Sequence, residues 1–495
     1  MHTLRAQIDH MSQRPFMGRL LAFLNGDLYP LLFAVLVLLS SFLGAELFLF
    51  AFTAIVIAFA CIFGKSAKSV LVPMVLVVYG MSWRHTPQHP YLSDFLYRTD
   101  VLILIGVFSA VAFASMLFHF FLRGADKNGG GGLTFGFLFF GAALLFNGLF
   151  SGSYVAQDGV LGALLSLSFV GVYLFVAFLL REKIPVRYFA YLLLLASAIV
   201  CIQTIKQAFN IAFFRDSFDA KYGYKDLMVA GWGMSNNVGG MLAMFLPALF
   251  YFAYKSRYGW AFYLWAFVQY GCICLTYSRT AMLFGGVLFL GGAVLLFFLK
   301  SPCRTFFRIA DGVTAAVLIV VFAAFSGKIL DLIYAAIERG DMGRFDLWKN
   351  GLLNFLSAPF FGSGFYAPID PSDPNWSYNI VNWVFPDMYH NLFVQVAASC
   401  GVFGLFALFL HFSEVSAFAF SGRFTAEKLF CLAVAAMVAA TSLLDNHIFH
   451  IFPAILYALS LSVLEKQNAG AGFGASKKLR QRHFLCRYGT RFFPF

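Results

Sequence analysis

Residues 328–391 read KILDLIYAAIERGDMGRFDLWKNGLLNFLSAPFFGSGFYAPIDPSDPNWSYNIVNWVFPDMYHN, a polar stretch in a chain that is 61% hydrophobic. Apolar runs long enough to cross a bilayer lie on both sides of it. Polar backbone and side chains are costly inside a lipid bilayer unless they are satisfied within the protein. The stretch therefore predicts a large loop between two membrane spans, and polarity on this scale indicates a solvated or functional segment.

The rest of the chain predicts an all-α polytopic membrane protein. Its mean hydropathy is +0.79, only 12% of its residues are charged, and it contains 64 phenylalanines. This composition lies outside the range of soluble globular proteins. We expect about 12 to 14 transmembrane helices. The candidate spans are 28–43, 46–63, 69–82, 101–121, 133–150, 159–180, 187–208, 237–254, 259–276, 280–299, 308–327, 390–412, 428–444 and 447–465.

The distribution of basic residues predicts the orientation of these spans. Short loops that carry Lys and Arg face the cytoplasm, which places both termini in the cytoplasm. The same alternation places the 328–389 loop, Arg279 and Asp445 on the extracytoplasmic face. The net charge of +12 is then mostly a product of topology. Because the cations are spread over several short loops, we expect no nucleic-acid binding.

We interpret residues 1–465 as one integral-membrane domain and residues 466–495 as a basic cytoplasmic tail that lies on the anionic leaflet. In the 328–389 loop, apolar residues at helical spacing predict a short helix at 329–337 and a second helix after Arg344, which Pro359 ends. Such helices lie at the membrane interface with their apolar faces down. Prolines and tryptophans between 368 and 386 predict an irregular, lid-like loop.

Two arginines are candidate anion-binding residues. Arg279 interrupts an apolar stretch at the outer surface, and Arg344 opens the second loop helix. A guanidinium donates paired hydrogen bonds to phosphate oxygens, and a helix N-terminus adds to such a site. Each also has a simpler interpretation. Arg279 is consistent with an interfacial helix anchor, and Arg344 with a solvated partner of a neighbouring aspartate.

His390 is the candidate base, because it lies where the loop meets the next span. A neutral imidazole there could accept a proton from an attacking hydroxyl. Asn391 follows it directly, and Asp445 in the last outer turn could orient it or simply cap a helix. Trp348 could stack on a sugar or belong to an interfacial aromatic belt. The eight cysteines all lie in spans or inner segments, so we expect no disulfide framework, no metal site and no cofactor.

Two segments carry a resemblance to a known family. GRFDLWKNGLLNFLSAPFFGSGFY (343–366), followed by HNLFVQVAASCGVFGLF (390–406), resembles the signature region of the O-antigen ligase and O-antigen polymerase superfamily. Arg279 matches an earlier arginine of that family in a Ser-Arg context. MSNNVGGMLAMFLPALF (234–250) is similar to the asparagine-containing start of a preceding span. The specific match runs over residues 279–404.

The resemblance implies a metal-independent, inverting membrane glycosyltransferase of the GT-C type in the bacterial inner membrane. The donor would be a glycan on undecaprenyl diphosphate, and the acceptor a glycan or a lipid-anchored core, in O-antigen or other cell-surface polysaccharide synthesis. Arg279 and Arg344 would hold the diphosphate, and His390 would activate the acceptor hydroxyl. Asn391, Trp348 and Asp445 would contribute to substrate binding. Ligase and polymerase share these motifs, so the resemblance leaves both open.

A polysaccharide or lipid-linked oligosaccharide flippase is the alternative from another class. About fourteen spans suit a transporter, and arginines could bind a lipid diphosphate there as well. Transporters of this kind show two related halves and ionisable residues in the middle of their spans. In this sequence the polarity is instead concentrated in the 328–389 loop, which favours the enzyme.

Overall fold

The computed structural model describes residues 2–64, 68–80, 85–86, 89–93, 99–124, 131–180, 183–214, 227–228, 230, 233, 235–340, 342–367 and 388–468. This part of the chain is helical nearly throughout, which confirms an all-α polytopic membrane protein. One small antiparallel hairpin within these ranges is the exception; it pairs β1 (His85–Thr86) with β2 (His89–Ser93).

The helices follow the predicted apolar segments closely. In chain order they are α1 His2–Ser12, α2 Pro15–Leu24, α3 Leu28–Leu43, α4 Glu46–Phe63, α5 Leu71–Gly80, α6 Thr99–Arg123, α7 Thr134–Leu145, α8 Ala156–Leu179, α9 Val186–Phe214, α10 Ser235–Lys255, α11 Gly259–Leu275, α12 Arg279–Phe298, α13 Arg304–Gly340, α14 Met342–Ser357, α15 Leu392–Ala419, α16 Ala426–Asp445 and α17 Ile451–Asn468.

Among the described residues, 8 helices are long and apolar enough to cross a membrane, or 9 if the bent pair α2–α3 counts as one span. These eight are α4, α6, α8, α9, α10, α12, α15 and α16. Shorter apolar helices lie at Lys68–Gly80, Thr134–Leu145 and Gly259–Leu275. The predicted span at 308–327 lies within α13, and residues 451–465 of the predicted span at 447–465 lie within α17.

Helix α10 lies at the centre of the bundle, with 16 of its 21 residues buried. It packs against α9, α11, α12 and α16. Two consecutive glycines, Gly239 and Gly240, make this possible in its first turns. A Cβ atom on Gly239 would lie 2.6 Å from Thr276 Oγ1, and one on Gly240 would lie 2.5 Å from His447 Cε1. Small residues let helices and turns approach closely in membrane proteins. Helix α10 therefore contacts both the turn before α12 and the turn between α16 and α17.

The polar loop begins with a helical segment, as predicted. Helix α13 runs from Arg304 to Gly340, but Phe325 inside it has non-helical angles (φ −121°, ψ 15°), so two helical segments meet at a kink there. Residues 329–337 lie in the second segment, which confirms the predicted helix in this part of the chain. The second loop helix is confirmed as α14. The predicted lid at 368–386 and the tail beyond residue 468 lie outside the described residues.

The Pro-x-x-Gly-x-Gly turn at 359–364 fills a break in α15. Helical geometry fails there at Gly401 (φ 66°, ψ −159°). Four backbone hydrogen bonds join the turn to the break: Val402 N to Pro359 O at 2.8 Å, Phe403 N to Phe360 O at 3.1 Å, Ser363 N to Ala398 O at 2.7 Å and Gly364 N to Ser399 O at 3.3 Å. Groups freed by a break inside a membrane must find partners within the protein. The turn therefore supports the first half of α15, and His390 and Asn391 lie just before this helix.

Candidate functional site

Asp445, the last residue of α16, is the point where the candidate residues meet. Its side chain is only 3% exposed. Around its Oδ1 atom lie Arg344 Nη2 at 3.8 Å, His390 Nδ1 at 3.7 Å and Asn236 Nδ2 at 3.5 Å. The first two distances exceed hydrogen-bond length, so these groups interact mainly through charge. Residues from three other segments of the chain thus converge on the carboxylate of Asp445.

Helix α14 positions Arg344 close to His390. Arg344 lies in the first turn of α14, and the side chain is 31% exposed. Further along α14, Asn354 donates a hydrogen bond of 2.5 Å to the hydroxyl of Tyr389, the residue before His390. Gly351 allows close contact with α15, since a Cβ atom there would lie 2.4 Å from Val394 Cγ1. These contacts hold α14, which carries Arg344, against the segment that carries His390.

The start of α15 positions His390. The side chain of His390 is 40% exposed, and its backbone has φ +50°. The next residue, Asn391, is the N-cap of α15, because its Oδ1 atom accepts from Phe393 N at 3.0 Å and Val394 N at 3.2 Å. This capping role accounts for Asn391 locally. Direct contact between Asn391 and a substrate stays a prediction.

Two residues at this site, His390 and Asn446, have left-handed backbone conformations. Four non-glycine residues in the described ranges have positive φ angles: Phe150, Tyr277, His390 and Asn446. The last two flank or belong to the Asp445 cluster, and Tyr277 lies two residues before Arg279. Side chains rarely adopt this conformation, and it persists where surrounding contacts hold it, often at functional sites. Strain at the Asp445 cluster therefore supports a functional role for it.

Two further histidines, His447 and His450, lie in the turn that follows Asp445. Burial lowers the pKa of His447 to about 4, which a hydrogen bond to the Asn236 backbone partly opposes and His390 reinforces. Burial lowers the pKa of His450 to about 3, with a smaller contribution from His447 in the same direction. Both rings are therefore neutral at neutral pH. His390, which is partly exposed, is the histidine of this cluster that a substrate can reach.

Arg279 is not part of the Asp445 cluster. It is the first residue of α12, it is exposed, and within the described residues its side chain makes no ion pair or hydrogen bond. The start of α12 nevertheless packs on Gly239 of α10, next to the glycine that contacts His447. Arg279 thus lies at the same end of the bundle, while its part in the site stays a prediction.

Trp348 lies on α14, one turn after Arg344. It is half-buried and packs edge-to-face on Phe345, with ring centroids 5.3 Å apart. The indole Nε1 atom is buried and has no hydrogen-bond partner among the described residues. A buried donor of this kind is uncommon in folded proteins. The environment is compatible with substrate binding by Trp348, which stays a prediction.

Sequence reasoning missed two members of the cluster, Asn236 and His447. Asn236 lies in the Ser-Asn-Asn-Val-Gly-Gly start of α10, and His447 lies in the Asp-Asn-His turn between α16 and α17. Both segments are visible in the sequence as polar residues at the ends of apolar helices. The close approach that brings them together depends on Gly240, which has no recognisable signal in a single sequence.

Part of the chain is similar to a known protein family. Residues 262–409 match a family model, Wzy_C, described as O-antigen ligase. The matched segment includes Arg279, Arg344 and His390, while Asn236 and Asp445 lie outside it. No curated protein matches the chain.

Proposed function

We propose that the chain is a member of the O-antigen ligase and polymerase superfamily and transfers a glycan from undecaprenyl diphosphate to an acceptor hydroxyl. The match of residues 262–409 to the O-antigen ligase family model supports this proposal. The observation that carries this proposal is the convergence of His390 and Arg344 on the carboxylate of Asp445. A base and a cation held side by side are the groups that such a transfer requires.

His390 acts as the general base for the acceptor. Its Nδ1 atom faces Asp445 at 3.7 Å, so the carboxylate favours the tautomer with the proton on Nδ1. The Nε2 atom, on the other side of the ring, then accepts the proton from the acceptor hydroxyl. As this proton moves, the acceptor oxygen bonds to the anomeric carbon from the face opposite the diphosphate, and the configuration inverts. Asp445 stabilises the imidazolium that forms.

The arginines act on the leaving group. The bond between the anomeric carbon and the diphosphate oxygen breaks, and its electron pair stays on undecaprenyl diphosphate. Arg344, which is partly exposed beside His390, stabilises this developing charge through paired hydrogen bonds. Arg279, exposed at the start of α12, contributes a second cation. Two guanidinium groups thus supply positive charge for a reaction that needs no metal ion.

The charge distribution supports a location for this chemistry. Basic short loops favour a cytoplasmic N-terminus, and the site then faces the outside of the bacterial inner membrane. There it meets lipid-linked glycans destined for lipopolysaccharide or another surface polysaccharide. The acceptor is a lipid-anchored core for a ligase and a growing glycan chain for a polymerase.

A reconstitution assay tests the proposal. The purified protein in lipid vesicles is given a lipid-linked glycan with either a glycan or a lipid-anchored core as acceptor, and mass spectrometry identifies the products. We expect a new glycosidic bond with one acceptor, and its loss in His390→Ala and Arg344→Ala. Arg257→Ala is the control, since Arg257 is an exposed arginine that stacks on Tyr258 and touches no site residue. Movement of the lipid-linked glycan without a new bond would contradict the proposal and favour a flippase.

A further inference from the structure

Gln395 is a fully buried amide on α15 that joins two parts of the site. Its Oε1 atom accepts two hydrogen bonds, each of 3.0 Å, from the backbone nitrogen of Tyr389 and from Asn446 Nδ2. Its Nε2 atom donates to Ser399 Oγ at 2.8 Å. Both ends of the carboxamide are therefore used, and neither reaches solvent.

The two groups that Gln395 holds are next to the reacting pair. Tyr389 precedes His390, which has φ +50°, and Asn446, which has φ +54°, follows Asp445. Residues in this left-handed region return to ordinary backbone geometry unless neighbouring contacts prevent it. One amide oxygen thus restrains both strained turns, on either side of the gap between His390 and Asp445.

The side chain of Gln395 is itself anchored at the break in α15. Ser399, the partner of Gln395 Nε2, has a backbone carbonyl that accepts from Gly148 N at 3.1 Å and from Gly364 N at 3.3 Å. The hydrogen bonds therefore run without interruption from the 359–364 turn through Ser399 and Gln395 to the two strained turns. This path explains how a turn that contacts no site residue directly can support the site.

We infer that Gln395 is a positioning residue that sets the distance between His390 and Asp445. The inference rests on the proposed function, because it assigns Gln395 an effect on the same transfer reaction. Gln395 is buried and does not touch the substrate, so its effect passes through the two catalytic groups. A displacement of about 1 Å in a catalytic group costs on the order of 100-fold in rate. Loss of the amide oxygen should lower kcat and leave donor affinity largely intact.

The test compares two substitutions of Gln395 in the full-length protein reconstituted in vesicles. Gln395→Met keeps the approximate size of the side chain and removes the acceptor. Gln395→Glu keeps an acceptor oxygen for Tyr389 and Asn446, and Ser399 can donate its own hydroxyl proton to the carboxylate. The control is Gln269→Met. Gln269 is also fully buried, and it bonds to Ser197 and to the backbone of Leu242, neither of which is a site residue.

We expect both methionine variants to lose similar thermal stability, because each loses two or more buried hydrogen bonds. Relative to Gln269→Met, Gln395→Met should lose on the order of 100-fold in kcat with an unchanged KM for the donor. Gln395→Glu should recover a clear part of that loss. Equal kcat values for the two methionine variants would overturn the inference, as would a loss confined to KM or an absence of rescue by glutamate.

His390→Ala separates this inference from the proposed function. If His390→Ala is inactive while Gln395→Met keeps the kcat of Gln269→Met, the positioning role is wrong and the proposed function stands. If His390→Ala retains wild-type turnover, the base role of His390 is wrong, and the positioning role is overturned with it. If the wild-type protein forms no glycosidic bond in this assay, the proposed function itself is wrong.

Discussion

The Nδ1 atom of His390 lies 3.7 Å from the Oδ1 atom of Asp445, although one residue precedes α15 and the other ends α16. The carboxylate is almost completely buried, whereas the imidazole is 40% exposed. A buried charge interacts more strongly with a neighbouring group than an exposed one, because less water screens it. Asp445 is therefore well placed to hold the imidazole in one tautomer and to stabilise its protonated form.

Replacing Asp445 with asparagine tests this pairing. Asp445→Asn keeps the size of the side chain and removes its charge, so the imidazolium that forms during transfer loses its partner. We expect a fall in turnover of about 100-fold, measured as initial rates of glycan transfer at equal protein in vesicles. The control is Glu427→Gln at the other end of α16, where Glu427 pairs with Lys255 at 3.0 Å. Equal rates for the two variants would contradict the role of Asp445.

Substitutions of Arg344 separate charge from geometry. Arg344→Lys keeps the positive charge but loses the planar fork that binds phosphate through two hydrogen bonds. We expect Arg344→Lys to retain part of the activity and Arg344→Ala to lose roughly 100-fold or more. Donor titrations with initial-rate measurements give kcat and KM for each variant. Lys349→Ala, an exposed cation on the same helix, is the control; a matching loss there would show that general surface charge is responsible.

The packing of α10 against the site is tested with glycine substitutions. Gly240→Ala adds a Cβ atom 2.5 Å from His447 Cε1, so the buried ring must move. Overpacking of this kind costs about 1–3 kcal/mol, and we expect a lower Tm in detergent together with reduced transfer. Gly271→Ala on α11 is the matched control, because a Cβ atom there meets nothing within 4 Å. If the two variants have the same Tm and rate, the contact between α10 and His447 is unimportant.

Buried neutral histidines predict a loss of stability in acid. His447 and His450 have pKa values of about 4 and about 3 in the folded protein, against 6.5 for an ordinary histidine. Between pH 6.5 and about 4 the unfolded chain binds protons that the folded protein does not, so stability falls as the pH falls. Each histidine contributes a slope of about 1.4 kcal/mol per pH unit in that window, to order of magnitude. Above pH 6.5 neither contributes.

The measurement is the Tm in detergent from pH 7.5 down to pH 5. His447→Gln should show a shallower decline than the wild-type protein, because one of the two contributions is removed. His10→Gln, which replaces an exposed histidine of α1, should decline like the wild type. A decline of the same slope in His447→Gln would show that other groups control acid stability.

Some site residues can be predicted from the sequence alone, because their residue type and their position next to an apolar segment are visible there. Arg344, His390 and Asp445 are ionisable residues at the ends of apolar segments, where such residues are costly unless they have a role. Charge alternation also predicts that they share a face. The structure brings these three together. Each of the fourteen predicted spans overlaps a helix, and among the described residues 8 helices, or 9 with the bent pair, are long and apolar enough to cross a membrane.

The remaining parts depend on packing between distant segments. Asn236 reaches Asp445 because Gly239 and Gly240 let α10 approach the turns before α12 and after α16. A single sequence does not reveal which glycines allow such a close approach. Gln395 looks like an ordinary polar residue in a span until its two partners are in place. Arg279 lies outside the Asp445 cluster, and its role awaits a test with bound donor.

The rate of glycosidic bond formation by His390→Gln tests the central claim most directly. Glutamine keeps a polar side chain at this position but cannot accept the acceptor proton as a base. With donor-loaded protein in vesicles and saturating acceptor, we predict wild-type donor binding and a single-turnover rate lower by about 100-fold or more. A single-turnover rate equal to that of the wild-type protein would contradict the account.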